Sequence, residues 1–217
     1  MKSLLDSPRG AWWLSAIALS GIAVFAYAIG ALMLPPSELL GDRRTELVCL
    51  QLAFTSVRAT SLLMTFTLEQ QVAIANLLVP GDMVFAWFYG LLLAGLVGLL
   101  VRRLDGSWRR VGVFMMWLPL AASLLDVIED AFLYSIVAQL IENPSIIVMG
   151  ELPLIAGIAA TLKYLVIAVV VPIFSVAGIA QGLRTDRSIG ALVVYALLLI
   201  VCVSMVMPPL QQIPTCF

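Results

Sequence analysis

Histidine is absent from the 217 residues. That removes His-based acid–base catalysis, Ser-His-Asp and Cys-His nucleophile systems, His-ligated haem and the usual zinc sites. Cysteine is scarce: Cys49, Cys202 and Cys216 form no C-x-x-C, so a dithiol redox motif is missing. Charge is sparse as well, with 12% charged residues and a net charge of −1. No basic face exists to neutralise phosphates, which excludes a nucleic-acid partner. Neither an activated nucleophile, a phosphate-binding loop nor a completed metal motif is recognisable. The reading therefore assigns no catalytic residue, no metal and no cofactor. The chemistry left to this chain belongs to carboxylates, Lys163, arginines, tyrosines and hydroxyls.

What the chain has in quantity is apolar sequence, 62% of residues at a mean hydropathy of +1.08. Several runs approach about 20 residues, the length that spans a bilayer. The expected fold class is all-α: one integral membrane helical bundle over residues 1–217, with no room for a separate soluble domain. Its lipid environment makes membrane lipids the first partners, with other membrane proteins or a second copy as further ones.

The first span is placed at 11–34. Ala26-Tyr27-Ala28 has the form of a signal-peptidase site. The apolar run outlasts a usual h-region and continues past it, so the expectation is an uncleaved helix. Pro35-Pro36 stops it, and a polar stretch follows. Leu47 to Leu68 is long enough to cross but contains Gln51 and Arg58. Counting it as a crossing would put Arg102, Arg103, Arg109 and Arg110 outside, against the positive-inside rule. Residues 45–79 are therefore read as an amphipathic outer segment, with Leu47, Leu50, Phe54, Val57, Met64 and Leu68 as its apolar stripe. Within it, Thr67-x-x-Gln70 has the form of a capping box, and Pro80-Gly81 ends the short helix that the box begins.

Asp82 is placed to cap the second span, 83–101. There Ala86, Gly90, Ala94 and Gly98 recur every four residues, a smooth ridge for close helix packing. The arginine-rich loop 102–110 precedes the third span, 111–141. The fourth runs over 150–181 with Pro153 and Pro172 as kink sites, and the fifth over 189–207, stopped by Pro208-Pro209. In this five-span arrangement Lys2, Arg9, Arg102, Arg103, Arg109, Arg110, Arg184 and Arg187 fall inside. Arg43, Arg44 and Arg58 fall outside. The amino end is then cytoplasmic and the carboxyl end outside. Cys49 and Cys216 share the outer side, which permits a disulfide but equally allows two free thiols; Cys202 is membrane-buried. Trp12, Trp13, Trp87, Trp108 and Trp117 fall near span ends, as interface anchors do.

The third span carries the pointer to function. Asp126, Glu129 and Asp130, three and four residues apart, share one helical face within apolar sequence. Carboxylates in hydrocarbon are costly and should turn toward the bundle interior. Lys163, on the next antiparallel span, lies at a depth from which it reaches Asp126 or Glu129. Three uses fit such a cluster: a structural ion-pair network, a ligand, ion or proton site, or an acid–base pair.

Some of these residues also carry a resemblance. Leu52-Ala53-Phe54-Thr55 with Arg58-Ala59, then Asp82, Phe85 and Tyr89-Gly90, then Asp126-x-x-Glu129 resemble motifs of a group of small bacterial polytopic membrane proteins of no assigned activity. That group often reads E-L-A-x-[ST]-x-x-R-A, D-x-x-F-x-x-x-Y-G and D-x-x-E-N, where this chain has Gln51 for the Glu and Asp130 for the Asn. The resemblance implies a bacterial cytoplasmic membrane location. It also implies that the outer segment folds over the bundle, bringing Arg58 and Asp82 toward Asp126 and Glu129. The function expected is non-enzymatic: binding or sensing a lipidic or cationic ligand, or supporting a membrane complex. The alternatives are an ion- or proton-coupled transporter and a lipid-modifying enzyme using acid–base carboxylates.

Overall fold

A computed structural model describes residues 7–27, 32, 39–144, 150–212 and 216. The described residues form helices and no strand. We number them α1 (Pro8–Tyr27), α2 (Arg44–Gln51), α3 (Ser56–Leu63), α4 (Leu68–Asn76), α5 (Met83–Val101), α6 (Gly106–Met115), α7 (Leu118–Glu142), α8 (Leu152–Tyr164), α9 (Val171–Thr185) and α10 (Ile189–Gln212). Among the described residues, four stretches are long and apolar enough to cross a membrane: Leu68–Val101, Gly106–Glu142, Leu152–Thr185 and Ile189–Met207. They fit a multi-pass membrane protein. Helix α1 is 20 residues of mostly apolar sequence, and most of the remainder of the expected first span lies outside the described residues.

The boundaries differ from the expected ones for identifiable reasons. Pro80 pushes its predecessor toward extended backbone, and Val79 sits there at φ −130° and ψ 111°. The chain kinks at Val79, with a π-type turn over Leu77–Asp82 joining α4 to α5. The arginine-rich loop is shorter than expected: helix resumes at Gly106, so Arg109 and Arg110 are helical. A turn at Met116 and Trp117 then separates α6 from α7. Between α8 and α9 lies a second π-type stretch, Leu165–Val170, directly before Pro172, whose missing N–H disturbs the hydrogen-bond ladder one turn earlier. Helix α10 runs past Pro208-Pro209 to Gln212.

The chain divides into two compact units. One comprises residues 1–24, 87–123 and 164–208. Its helices approach closely through glycine: a Cβ on Gly95 would lie 2.9 Å from the Leu14 carbonyl oxygen and the Ala18 nitrogen, and one on Gly21 2.9 Å from Leu92 Cα. Gly90 and Gly98 of the expected ridge meet Ser123 and Leu14. Polar contacts gather the ends of this unit's helices. Arg102 donates to the Ser7 carbonyl at 2.9 Å, and Arg103 pairs with Asp186. The Ser188 backbone N–H on Asp186, with Arg103 beside it, holds that carboxyl below the usual range.

The other unit comprises residues 25–86, 124–163 and 209–217. Its core packs the short helices onto one face of α7: Leu50, Ala59, Leu63, Phe66 and Ile74 against Leu133, Ile136, Val137 and Leu140. The apolar stripe drawn through 47–68 is corrected here. Leu50 is buried, but Val57, Met64 and Leu68 point outward, and Ala59, Leu63 and Phe66 are buried in their place. Two breaks, at 52–55 and 64–67, reset the helical phase, so a periodicity carried across them fails. Local chemistry accounts for those breaks. Thr55 caps α3 by accepting from the Arg58 N–H, and Thr67 and Gln70 complete a reciprocal capping box on α4. The buried Gln71 amide donates to the carbonyls of Leu63, at the end of α3, and of Phe66, just beyond it. Arg43 donates to Glu46 at 2.9 Å and to the Thr65 carbonyl at 2.7 Å, and lies 3.9 Å above the Phe66 ring. Its hydrogen bond, with its charge beside it, holds the Glu46 carboxyl below the ordinary range.

Candidate functional site: a buried carboxylate cluster around Lys163

The acidic residues of α7 continue the face that carries its core leucines. Residues 126, 129 and 130 stand in the same three-and-four phase as Leu133, Ile136, Val137 and Leu140. Burying that face for its apolar half therefore buries the carboxylates too. Glu129 and Asp130 are fully enclosed, and Asp126 retains 4% exposure. Helix α8 contributes Lys163, 5% exposed, in its last turn. Its ammonium donates to Asp126 Oδ1 and lies 2.6 Å from Glu129 Oε2. Asp82 arrives by a third route, at the end of the turn that follows the Val79 kink. It keeps partial exposure, and its carboxylate together with those of Asp126 and Asp130 offers three oxygens within 4.8 Å of one another.

One ammonium thus stands against four carboxylates: Asp82, Asp126, Glu129 and Asp130. Each ionised carboxylate enclosed in apolar surroundings carries a desolvation cost of several kcal/mol unless it is paired and hydrogen-bonded. Asp126 and Glu129 share Lys163. Asp130 shares nothing: both its oxygens are buried without a hydrogen-bond partner. An ionised Asp130 lacks a donor there. Such a pocket favours an added positive charge, as a proton or a cation.

The remaining residues singled out by the sequence lie outside the cluster. The Arg58 guanidinium donates to the main-chain carbonyl of Cys216, and Lys163 is the cation in contact with the carboxylates. Cys49 and Cys216 are joined in a disulfide with Cα atoms 5.0 Å apart, while Cys202 is free and buried. The five tryptophans are all exposed. Phe54 carried no functional signal in the sequence beyond its place in the Leu-Ala-Phe-Thr motif. It has φ +57°, strained for a side-chain-bearing residue, and its ring lies against Gly157 of α8, where a Cβ would be 2.6 Å from Cδ1. That contact seats α8 six residues before Lys163. Comparison of the chain with known protein families, with curated proteins and with solved structures finds no match.

Proposed function

We propose that this chain is a non-enzymatic multi-pass membrane protein whose carboxylate cluster binds a small cationic ligand. The observation that carries the reading is the surplus of buried carboxylates over the single ammonium of Lys163, with Asp130 unpartnered at full burial. Intramembrane ionisable groups mark ligand and ion sites. In the same reading α1 is a fifth crossing, residues 45–79 lie at the outer face of a bacterial cytoplasmic membrane, and the carboxyl end is outside. Support for that orientation comes from the basic residues. All those expected inside belong to residues 1–24, 87–123 and 164–208, and Arg43, Arg44 and Arg58 to the unit that holds the disulfide.

Native mass spectrometry of the purified protein beside an Asp126→Asn/Glu129→Gln variant tests the reading. A bound species present on the native chain and lost from the folded variant supports it and supplies the ligand's mass. Identical spectra from two folded proteins would leave the cluster a purely structural network.

A second reading, ion-coupled transport, is favoured by the helix irregularities around the cluster. Asp82 closes one π-type turn, and Lys163 lies two residues before the next π-type stretch. Interrupted helices are the usual builders of ion sites in transporters. Proton or cation flux into liposomes carrying the protein separates this reading from simple binding.

A further inference from the structure

We propose that Asp82, Asp126 and Asp130 form a site for one hard divalent cation of the Ca²⁺, Mn²⁺ or Mg²⁺ class. The proposal rests on the cation-binding reading above and names the ligand's chemistry. Three observations carry it together. The first is geometric: three carboxylate oxygens lie within 4.8 Å of one another. A point between three oxygens at that spacing lies at most about 2.8 Å from each, so a Ca²⁺-sized ion with bonds of about 2.4 Å reaches all three once the carboxylates draw in by a few tenths of an ångström. Mg²⁺, with bonds of about 2.1 Å, needs the carboxylates to draw further inward.

The second is the state of Asp130. Its two oxygens are enclosed and have no hydrogen-bond partner, although it belongs to the same trio. A bound cation supplies the positive partner that no neighbouring side chain supplies.

The third is the division of labour around Lys163. The ammonium engages Asp126 Oδ1 and Glu129 Oε2. Asp126 is the residue common to the pair with Lys163 and to the trio of carboxylates. The charges then separate into two adjoining groups, with Lys163 on Glu129 and Asp126, and the divalent ion on Asp82, Asp126 and Asp130. Oxygen-only donors select hard cations over Zn²⁺ or Cu²⁺, which take nitrogen or sulfur. Asp82 is the member that keeps partial exposure, which makes it the point of entry.

The test uses the full chain in detergent or nanodiscs, stripped with chelator and titrated with Mn²⁺. The loss of the free-Mn²⁺ electron paramagnetic resonance signal reads the binding. One saturable Mn²⁺ per chain is expected, displaced by Ca²⁺. Asp130→Asn and Asp82→Asn should each weaken binding at least about tenfold, because affinity at such sites follows the count of charged ligands. Asp186→Asn, on a surface loop, should leave it unchanged. If Asp130→Asn does not fold, Asp82→Asn at the partly exposed edge carries the comparison. No saturable binding to the folded native chain, or binding indifferent to both substitutions, overturns the metal site. Native mass spectrometry of the same preparation then separates the two levels. An organic cation lost from the Asp126→Asn/Glu129→Gln variant overturns the metal but keeps the cation-binding reading, whereas no bound species at all overturns both.

Discussion

Among the described residues Lys163 pairs with two of the buried acids, and the surplus of carboxylates over its ammonium decides what each substitution does. Lys163→Met leaves Asp126 and Glu129 enclosed without their shared ammonium. Removing one partner of a buried pair costs on the order of 3–5 kcal/mol. Asp126→Asn relieves an excess of negative charge while Lys163 keeps Glu129, so its cost should be smaller. Thermal unfolding of both variants in one detergent checks the order. An Asp126→Asn loss equal to or above that of Lys163→Met would mean the cluster is not short of positive charge. At this scale much was legible. Asp126, Glu129 and Asp130 announce themselves as charges inside apolar sequence at helical spacing, and a rise of about 1.5 Å per residue suffices to put Lys163 at their depth. The approach of Asp82 was expected only through the resemblance, because it depends on backbone direction after the Val79 kink, which no local pattern encodes. Arg43 looked like one outer charge among others, since its contacts with Thr65 and Phe66 join residues more than 20 positions away.

At the level of elements, the informative positions are those where backbone meets backbone. Gly95 faces the main chain of α1, and main chain cannot swing aside as a flexible side chain does. Gly95→Ala should therefore part α1 from α5 and cost about 1–3 kcal/mol, as overpacking does. Gly190, in the first turn of α10, has only Arg103 Nη2 at 3.8 Å from a built Cβ. Gly190→Ala should be neutral or stabilising by up to about 1 kcal/mol, since alanine favours helix. Paired melting curves check the contrast, and a neutral Gly95→Ala would show that α1 does not rest there. The four-residue ridge anticipated close packing on α5, but Gly95 lies off that ridge. Spacing within one helix identifies a smooth face; which residue meets a partner's main chain is fixed by tertiary structure. Kinks and caps were easier to read because their causes are local. A residue before proline goes extended, and a Thr-x-x-Gln box starts a helix, whatever surrounds them.

For the molecule as a whole, the disulfide joins positions 167 residues apart, and the chain-entropy estimate for such a loop is about 5 kcal/mol. That is an upper figure here, because helices held in a bilayer leave an unfolded chain less freedom to lose. Reduction should lower the melting temperature by several degrees, and since all three cysteines are buried, alkylation of the unfolded chain should label Cys202 alone before reduction and Cys49 and Cys216 as well after it. Mass spectrometry after alkylation reads this directly; a labelled Cys49 before reduction would contradict the bond. Composition alone indicated the helical membrane class, whereas the exact helix limits depended on breaks that hydropathy averages away. The burial of the Lys163 cluster has one further consequence. Charges enclosed at depth in a bilayer sit within the electric field across it, where a full traverse is worth about 2.3 kcal/mol per elementary charge per 100 mV. A cation that enters the cluster crosses part of that field. On the proposed cation-binding reading its occupancy shifts with membrane voltage, and energising the cell would itself load or empty the site.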